Sequence, residues 1–337
     1  MQGKIDLEDR VRGVLLGLAA GDALGAGYEF KPAMEASEPV GMIGGGLGDF
    51  APGEWTDDTS MAIVMAQALA AFGGTASEEA CTQMVQEWAD WAKTAPDVGV
   101  QTSAVLRAAE SLARRGGREL PTAADAIQAA ADAHQRTGRS GGNGSLMRTA
   151  PVALAYLHRP IEEAYTAAVK LSALTHFDPE AAEACGLWTA AIRHAVLTGQ
   201  LDVRIGLGLL EPARAGVWEQ LIGAAEAGAP KDFGNNGWVV EAFQGAWSAI
   251  SAAIGRSAAQ APLERQVLVE ALEAAVRGGV DTDTVAAIAG SLIGAACGAR
   301  AIPGDWLGML HGWPGLAASD LDELALNLAS GSYATSD

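Results

Sequence analysis

Residues 278–295 read GGVDTDTVAAIAGSLIGA, and this stretch decides the fold class. Two glycines and a valine lead into alternating aspartate and threonine. Apolar side chains then recur at Val285, Ile288, Leu292 and Ile293. These intervals place them on one face of an α-helix, and Cys297 extends the stripe. The sequence therefore predicts a helix that begins at the acidic residues and packs its apolar face into a core.

Helical periodicity recurs along much of the chain. A similar apolar face is formed by Met61, Val64, Met65 and Leu69. Further helix-like segments are residues 78–93, 123–134 and 180–197. No segment shows the sustained alternation of β-branched and aromatic residues, bounded by turns, that is typical of strands. We therefore predict an all-α protein.

The bulk composition excludes several classes of protein. Of the 337 residues, 49% are hydrophobic, which is enough for a large core and excludes a disordered chain. Asp and Glu number 41 against 22 Lys and Arg, so the formal net charge is −19. Nucleic acids and anionic membranes attract clustered cations, so we expect neither as a partner.

Length and loop composition bear on the domain organisation. At roughly 150 residues per domain the length suggests two domains. The glycine-rich loops are few, however, and none looks like a flexible linker. We therefore predict one domain over residues 1–337, with its core at about 10–315 and a frayed tail at 325–337.

Location and assembly are predicted from what the sequence lacks. The three cysteines are far apart and form neither a disulfide framework nor a zinc motif. The first residues show no apolar core of a signal peptide. No exposed partner-binding stripe stands out either. We therefore expect a cytoplasmic protein, with a monomer as the default state.

Two segments place carboxylates and hydroxyls where a helix begins, Thr56-Asp57-Asp58-Thr59 and Asp281-Thr282-Asp283-Thr284. Helix capping explains such residues, because Asp and Thr accept hydrogen bonds from the free N–H groups there. A cap needs only one acceptor, however, and each segment supplies two carboxylates. If the segments face each other, four carboxylates repel unless cations lie between them. An all-oxygen set selects Mg²⁺ or Mn²⁺ over zinc, and four carboxylates could hold two ions about 4 Å apart.

A glycine-rich loop, Ser140-Gly141-Gly142-Asn143-Gly144-Ser145, precedes Leu146-Met147-Arg148. If it enters a helix, its backbone N–H groups can bind a phosphate, although a plain turn fits the same sequence. It is neither a P-loop nor a Rossmann fingerprint. Arg148 could contact the phosphate or form a structural salt bridge.

Three single residues stand out. Asp22 interrupts an apolar helical run, so it needs a buried partner or a packing contact. Glu29 is either a surface residue or a loop acid near a site. His176 stands before Asp178-Pro179, a cap and first-turn proline, and a lone histidine there is more often structural than catalytic.

Taken together, these segments resemble the ADP-ribosylglycohydrolase family. The matching stretches are GVLLGLAAGDALGAGYEF, GEWTDDTSMA, PDVGVQT, SGGNGSLMRTAP, ALTHFDPEA, NNGWVVEAF and GGVDTDTVAAIAGSLIGA. They follow the family's order from residue 13 to about 298. The paired TDDT and DTDT elements are specific, and the others are individually weaker. The sequence departs at Val280, which separates Gly279 from the usual GDTDT run, and at Asn235 and Asn236.

The resemblance implies an orthogonal all-α bundle around a binuclear Mg²⁺ or Mn²⁺ centre. The metal ligands that it implies are Thr56, Asp57, Asp58, Asp281, Asp283 and Thr284. The residues that it places around the substrate are Ser140, Gly141, Gly142, Asn143 and Gly144 at the diphosphate, with His176, Gly237 and Trp238. The candidates for the general base are Asp57 and Asp97, with Glu29 as a competitor.

The implied reaction is a metal-dependent hydrolysis of the bond at ribose C1″ of an ADP-ribosylated side chain, with an arginine linkage favoured. It would release ADP-ribose and reverse mono-ADP-ribosylation. A hydrolase of serine-linked or O-acetyl-ADP-ribose is the alternative on the same scaffold, and a non-enzymatic relative is a third. The expected partner is the ADP-ribose moiety of a modified protein or small molecule.

Overall fold

The computed structural model describes residues 6–256 and 265–330. In these ranges the chain forms fourteen α-helices: α1 (Leu7–Gly25), α2 (Asp57–Ala71), α3 (Glu78–Trp91), α4 (Val100–Arg115), α5 (Ala123–Thr137), α6 (Ala150–Ala155), α7 (Ile161–Ser172), α8 (Pro179–Thr198), α9 (Pro212–Ala227), α10 (Val239–Arg256), α11 (Arg265–Arg277), α12 (Thr282–Cys297), α13 (Gly304–Met309) and α14 (Ala318–Ser330). The predicted all-α class is confirmed.

Short elements join these helices. Single 3-10 turns are formed by Ala26–Tyr28, Asn143–Ser145, Leu207–Leu209, Pro230–Asp232 and Ala299–Ala301. An antiparallel pair of two-residue strands, β1 (His311–Gly312) and β2 (Leu316–Ala317), is the one sheet in the described residues, with His311 opposite Ala317. Two residues are too short to show alternation, so the sequence did not reveal it.

Helices α1 and α12 are in backbone contact at the centre of the fold. A Cβ on Gly21 would lie 2.0 Å from the Ala286 carbonyl oxygen, and one on Gly290 would lie 2.0 Å from the Gly17 oxygen. The contacts pair residue numbers in opposite order, so the helices run antiparallel. The end of α1 therefore meets the start of α12, where a Cβ on Gly25 would lie 2.4 Å from the Asp283 Cα.

Aromatic residues pack the other helices around this pair. Trp188 of α8 is fully buried, and its indole N–H lies 3.2 Å from both the Ile288 carbonyl and the Ser291 hydroxyl of α12. Its ring also contacts Phe243 of α10, with ring centroids 4.9 Å apart. Buried Trp side chains need a hydrogen-bond acceptor of this kind, which fixes the register of α8 against α12.

At two boundaries the structure differs from the pattern considered in the sequence. The loop Ser140–Ser145 does not enter an α-helix, because Asn143–Ser145 forms a 3-10 turn and α6 begins only at Ala150. The tail predicted to fray from residue 325 is helical through Ser330, and Ala325 and Leu328 are buried. Residues 331–337 lie outside the described ranges. The single-domain organisation stays a prediction.

No helix in the two described ranges is long and apolar enough to cross a membrane.

Candidate active site

The start of α2 is capped by Asp22 of α1. The backbone N–H groups of Thr56 and Thr59 donate to the two Asp22 carboxylate oxygens at 2.9 and 3.0 Å, and the Thr59 hydroxyl adds a bond of 2.6 Å. Thr56, at the N-cap position, makes no side-chain cap bond itself. Burial raises the pKa of Asp22 to about 6. Because Asp22 satisfies these donors, the helix does not need Asp57 or Asp58 as a cap.

The start of α12 is held by two asparagines. The Asp281 N–H donates to the Asn236 side-chain oxygen at 3.1 Å, and an Asp281 carboxylate oxygen accepts from the Asn143 amide at 2.7 Å. Asp281 makes no cap bond to its own helix. The Thr282 hydroxyl donates to the Gly25 carbonyl of α1 at 2.9 Å. Asn236, a departure from the family pattern, therefore positions Asp281.

The two acidic segments meet a third acid, Glu29. One carboxylate oxygen each of Glu29, Asp281 and Asp283 lie within 4.8 Å of one another, a grouping that could hold a metal ion. The buried Glu29 Oε2 and Asp58 Oδ1 have no hydrogen-bond partner in the described chain. The structure therefore groups Glu29, predicted as a base, with the predicted metal ligands.

Burial and mutual repulsion shift the titration of these acids. Burial, followed by repulsion from neighbouring carboxylates, raises the pKa of Asp57, Asp58 and Asp283 well above the usual carboxyl range. Burial and then repulsion from Asp97 raise the pKa of Glu29 to about 7. Several carboxylates held close together repel one another, and bound cations would offset that repulsion. We call Glu29, Asp57, Asp58, Asp281 and Asp283 the acid cluster.

The remaining predicted ligands and Asp97 border this cluster. The Thr56 hydroxyl donates to Asp58 at 3.0 Å, and Thr284 is buried directly after Asp283. Asp97 is half-buried on the loop before α4, and burial raises its pKa. It lies close enough to Glu29 and Asp57 to be a main source of repulsion for both.

Val280 brings Glu29 to the cluster at a conformational cost. Its φ is 65°, in the left-handed region that β-branched residues avoid. Its N–H donates to the Lys31 carbonyl at 2.9 Å, and its own carbonyl accepts from the Phe30 N–H. These bonds fasten the segment that follows Glu29 beside Asp281.

In the loop Ser140–Gly144, protein donors occupy the carbonyls and leave N–H groups free. The Ser140 carbonyl accepts from the Gln101 amide at 2.8 Å, and the Gly141 carbonyl accepts from the Val239 N–H at 2.9 Å. The Gly144 carbonyl accepts from the Arg148 guanidinium at 2.9 Å. The N–H groups of Gly141, Gly142 and Gly144 have no acceptor in the described part of the chain. These N–H groups are therefore available as donors to an anion.

Asn143 and the segment at residue 237 connect this loop to the acid cluster. Besides its bond to Asp281, the Asn143 amide donates to the Asn236 carbonyl at 2.8 Å, and the Asn143 N–H donates to Gly237 at 3.1 Å. The Trp238 indole donates to Glu180 of α8 at 3.0 Å. Asn143, predicted to contact substrate, thus uses its side chain within the protein.

Arg148 does not form the salt bridge considered for it. It is fully buried, and it forms no salt bridge within the described ranges. Its guanidinium lies 4.3 Å from the centroid of Trp88 and donates to the Thr175 hydroxyl at 2.6 Å. Arg148 therefore supports the loop from behind, through Gly144 and Thr175.

His176 lies directly beneath the glycine loop. Its Nδ1 lies 2.7 Å from the Thr175 hydroxyl, and a Cβ on Gly142 or Gly144 would approach its ring to 3.2 or 3.1 Å. Burial, with repulsion from Arg148, lowers the pKa of His176 to about 3. The ring is therefore neutral at physiological pH, which suits contact with a ligand better than acid catalysis.

The supporting residues gave different signals in the sequence. Asp22 was recognisable as a buried acid without a local partner. Gln101 and Thr175 lie in the family-like stretches PDVGVQT and ALTHFDPEA, but their own residue types gave no functional signal, because a single polar residue in an ordinary helix or turn has many explanations. Their function depends on contacts with residues distant in sequence.

Comparisons with known proteins find similar proteins over most of the chain. The ADP-ribosylglycohydrolase family model matches residues 3–337. The ADP-ribosyl-[dinitrogen reductase] glycohydrolase of Rhodospirillum rubrum is 30% identical over 310 residues, which are 90% of this chain and 91% of that protein. The ADP-ribosylarginine hydrolase Tri1 of Pseudomonas putida (strain GB-1) is 28% identical over 305 residues, 89% of this chain and 73% of that protein.

A solved structure is similar as well. It is described as an ADP-ribosylglycohydrolase-related protein complex and matches with a TM-score of 0.69 at 29% identity, covering 97% of this chain and 99% of that one. Fold, site and relatives together define a hydrolase of glycosidic bonds. The chain belongs to the ADP-ribosylglycohydrolase family.

Proposed function

We propose that this chain is a metal-dependent ADP-ribosylarginine hydrolase. It cleaves the bond between ribose C1″ and the arginine guanidine and releases ADP-ribose from a modified protein or small molecule. The acid cluster carries the proposal, because it buries two carboxylate oxygens that have no hydrogen-bond donor among the described residues. The relative named ADP-ribosylarginine hydrolase supports the arginine linkage, and the one named ADP-ribosyl-[dinitrogen reductase] glycohydrolase supports a modified protein as the substrate.

The donor set fits two Mg²⁺ or Mn²⁺ ions. The proposed ligands contribute only oxygen atoms, which hard divalent cations prefer: Thr56, Asp57, Asp58, Asp281, Asp283 and Thr284. Glu29 joins them, because it converges with Asp281 and Asp283. When bound, the ions supply Lewis-acid stabilisation of negative charge on the ribose oxygens.

Asp97 is the acid best placed to move a proton. It borders the acid cluster but is not one of the proposed metal ligands, so its carboxylate stays available as a base. In the proposed reaction water forms a bond to C1″ as the bond from C1″ to the guanidine nitrogen breaks. Asp97 accepts a proton from the water and, as its protonated acid, returns it to the nitrogen of the leaving guanidine. Asp57 is the second candidate, since its carboxylate lies 3.4 Å from the Gly99 N–H on the same loop as Asp97.

The glycine loop is proposed to bind the diphosphate. The free N–H groups of Gly141, Gly142 and Gly144 are suitable donors to phosphate oxygens. His176 lies against the same glycines as a neutral ring, so it adds no charge to that subsite. This arrangement lets a chain of net charge −19 bind an anion through backbone dipoles.

The test is ADP-ribose release from three matched substrates, arginine-linked, serine-linked and O-acetyl-ADP-ribose, with Mg²⁺, with Mn²⁺ and after chelation. We expect the arginine-linked substrate to react fastest and chelation to abolish turnover. Asp97→Asn should lower kcat by about a hundredfold or more while leaving KM nearly unchanged. Full activity after exhaustive chelation would overturn the metal requirement, and preference for another substrate would overturn the arginine linkage.

Cytoplasmic location, a monomeric state and the lack of nucleic-acid and membrane partners stay predictions.

A further inference from the structure

Several exposed apolar side chains neighbour residues of the acid cluster and the glycine loop. Twelve large apolar side chains are exposed in the described residues, and the four most exposed are Val100 at 89%, Leu47 at 65%, Phe30 at 59% and Ile43 at 56%. With Phe177 at 43% they lie on three segments next to site residues. Single exposed apolar residues that are scattered over a surface need no explanation, whereas a group of them beside one site marks an interaction surface. We call these five residues the apolar rim.

Two rim residues border Glu29 along the chain. Phe30 follows Glu29 directly and has a φ of 56°, a left-handed conformation that is unusual for an aromatic residue. Ile43 packs beside the turn that precedes Glu29, because a Cβ on Gly27 would lie 2.5 Å from its Cγ1 atom.

Leu47 is held at the tip of a tight hairpin. Gly45 and Phe50 exchange backbone hydrogen bonds of 2.8 and 2.9 Å, and Phe50 is buried. Gly46, next to Leu47, is close to Glu29, since a Cβ on it would lie 3.3 Å from the Glu29 Oε2 atom. The hairpin therefore anchors one apolar side chain and presents another to solvent beside the acid cluster.

The other two rim residues border the cluster and the glycine loop. Val100 is the first residue of α4 and follows Gly99, whose N–H lies 3.4 Å from an Asp57 oxygen. Phe177 follows His176, and its ring centroid lies 6.4 Å from that of His134. The rim thus includes residues beside both halves of the site.

We propose that the apolar rim docks the polypeptide that carries the ADP-ribose, and that this polypeptide is basic around the modified side chain. The inference rests on the proposed function and narrows its substrate to a modified protein. In the proposed function the bond that is cleaved lies at the acid cluster. A polypeptide attached to the modified side chain therefore has to pass over the rim residues that neighbour the cluster. A small-molecule adduct bound at the acid cluster and the glycine loop would leave the rim side chains exposed to water.

Charge selects the occupant. The chain carries a net charge of −19, so long-range electrostatics favour a cationic polypeptide over a second copy or an anionic lipid surface. Val, Ile and Phe also lose little side-chain entropy when they are covered, which favours them at a contact surface.

The test compares a basic protein ADP-ribosylated on arginine with free ADP-ribosylarginine. The variant is the double substitution Leu47→Ser and Val100→Ser. The matched control is Leu120→Ser, because Leu120 is 55% exposed but lies beyond the far end of α4, a helix about 24 Å long. We expect the double variant to raise KM for the protein roughly tenfold, with KM for the free adduct and the control unchanged. KM for the protein should also rise with salt.

Each other outcome has a distinct meaning. An equal rise in KM on both substrates would place the rim residues in the nucleotide cleft and overturn docking. Unchanged KM for the protein would overturn it as well. If the wild-type chain sediments as a dimer and the double variant as a monomer, the rim is an interface between copies. Release of ADP-ribose from neither substrate by the wild-type chain would overturn the proposed function itself.

Discussion

The contact between helices α1 and α12 has two regions, one that stabilises the folded chain and one that destabilises it. Along their middle, Gly17, Gly21 and Gly290 bring the backbones into direct contact, a close-packed interface without charge. Where the end of α1 meets the start of α12, buried carboxylates repel one another. The glycine interface stabilises the fold and fixes where the acids meet, whereas the acid cluster destabilises the metal-free chain. In the proposed function, bound cations offset this repulsion.

The largest expected effect comes from breaking the glycine interface. Gly21→Ala places a methyl group 2.0 Å from the Ala286 carbonyl oxygen, so the helices must separate. We expect a loss of about 3 kcal/mol or more in the free energy of unfolding, measured by urea denaturation. Gly216→Ala in α9 is the control, because its Cβ meets nothing within 4 Å and the change should be neutral or stabilising. Equal effects of the two substitutions would contradict the account.

The acid cluster should make the metal-free chain less stable as pH rises from about 6.5 through the raised pKa of Glu29, about 7. The raised pKa values of Asp58 and Asp283 act in the same direction. At the start of this window the folded chain keeps protons that the unfolded chain has already lost. Each such proton lowers the free energy of unfolding by about 1.4 kcal/mol per pH unit. His176, with its lowered pKa, contributes with the opposite sign below about pH 6.5, and for that reason the window begins there.

The measurement is thermal unfolding in the presence of a chelator at several pH values. The midpoint should fall as pH rises and should flatten when Mn²⁺ is added. A midpoint that rises over this window in the chelator would contradict the repulsion.

Removing one carboxylate of the acid cluster should raise the stability of the metal-free chain and lower its activity. Asp58→Asn replaces a buried, ionisable carboxyl group, whose Oδ1 atom has no donor among the described residues, with a neutral amide. We expect the metal-free variant to be more stable than the wild type by about 1–2 kcal/mol and to lose nearly all turnover. Thermal unfolding and ADP-ribose release measure the two quantities. Loss of both stability and activity would instead give Asp58 a structural function.

The smallest expected effect concerns Val280. Because its φ is 65°, Val280→Gly should relieve strain and stabilise the chain by about 0.5–1 kcal/mol. Val280→Ala, which removes the same methyl groups but keeps Cβ, should gain no stability. The two midpoints in urea give the comparison, and a greater gain for Ala would show that strain is not the cause.

The sequence predicted some parts of this molecule and not others, for physical reasons. Helical periodicity is local, so the all-α class and the helices that begin at Asp57 and Thr282 followed from it. The contact between Gly21 and Ala286 joins residues that are far apart in the chain, and no local pattern of ours pointed to it. Convergence of Glu29 with Asp281 depends on the strained conformation of Val280, and a side-chain type alone does not specify that conformation.

The most direct test of the central claim is calorimetric titration of Mn²⁺ into the chelated protein at pH 7.5, with thermal unfolding of the same samples. The central claim is that the acid cluster is a site for divalent cations. It predicts two ions per chain and a raised unfolding midpoint for the wild type. It also predicts weakened binding and a smaller rise for Asp58→Asn. If Mn²⁺ gives no saturable heat and leaves the wild-type midpoint unchanged, the claim is contradicted.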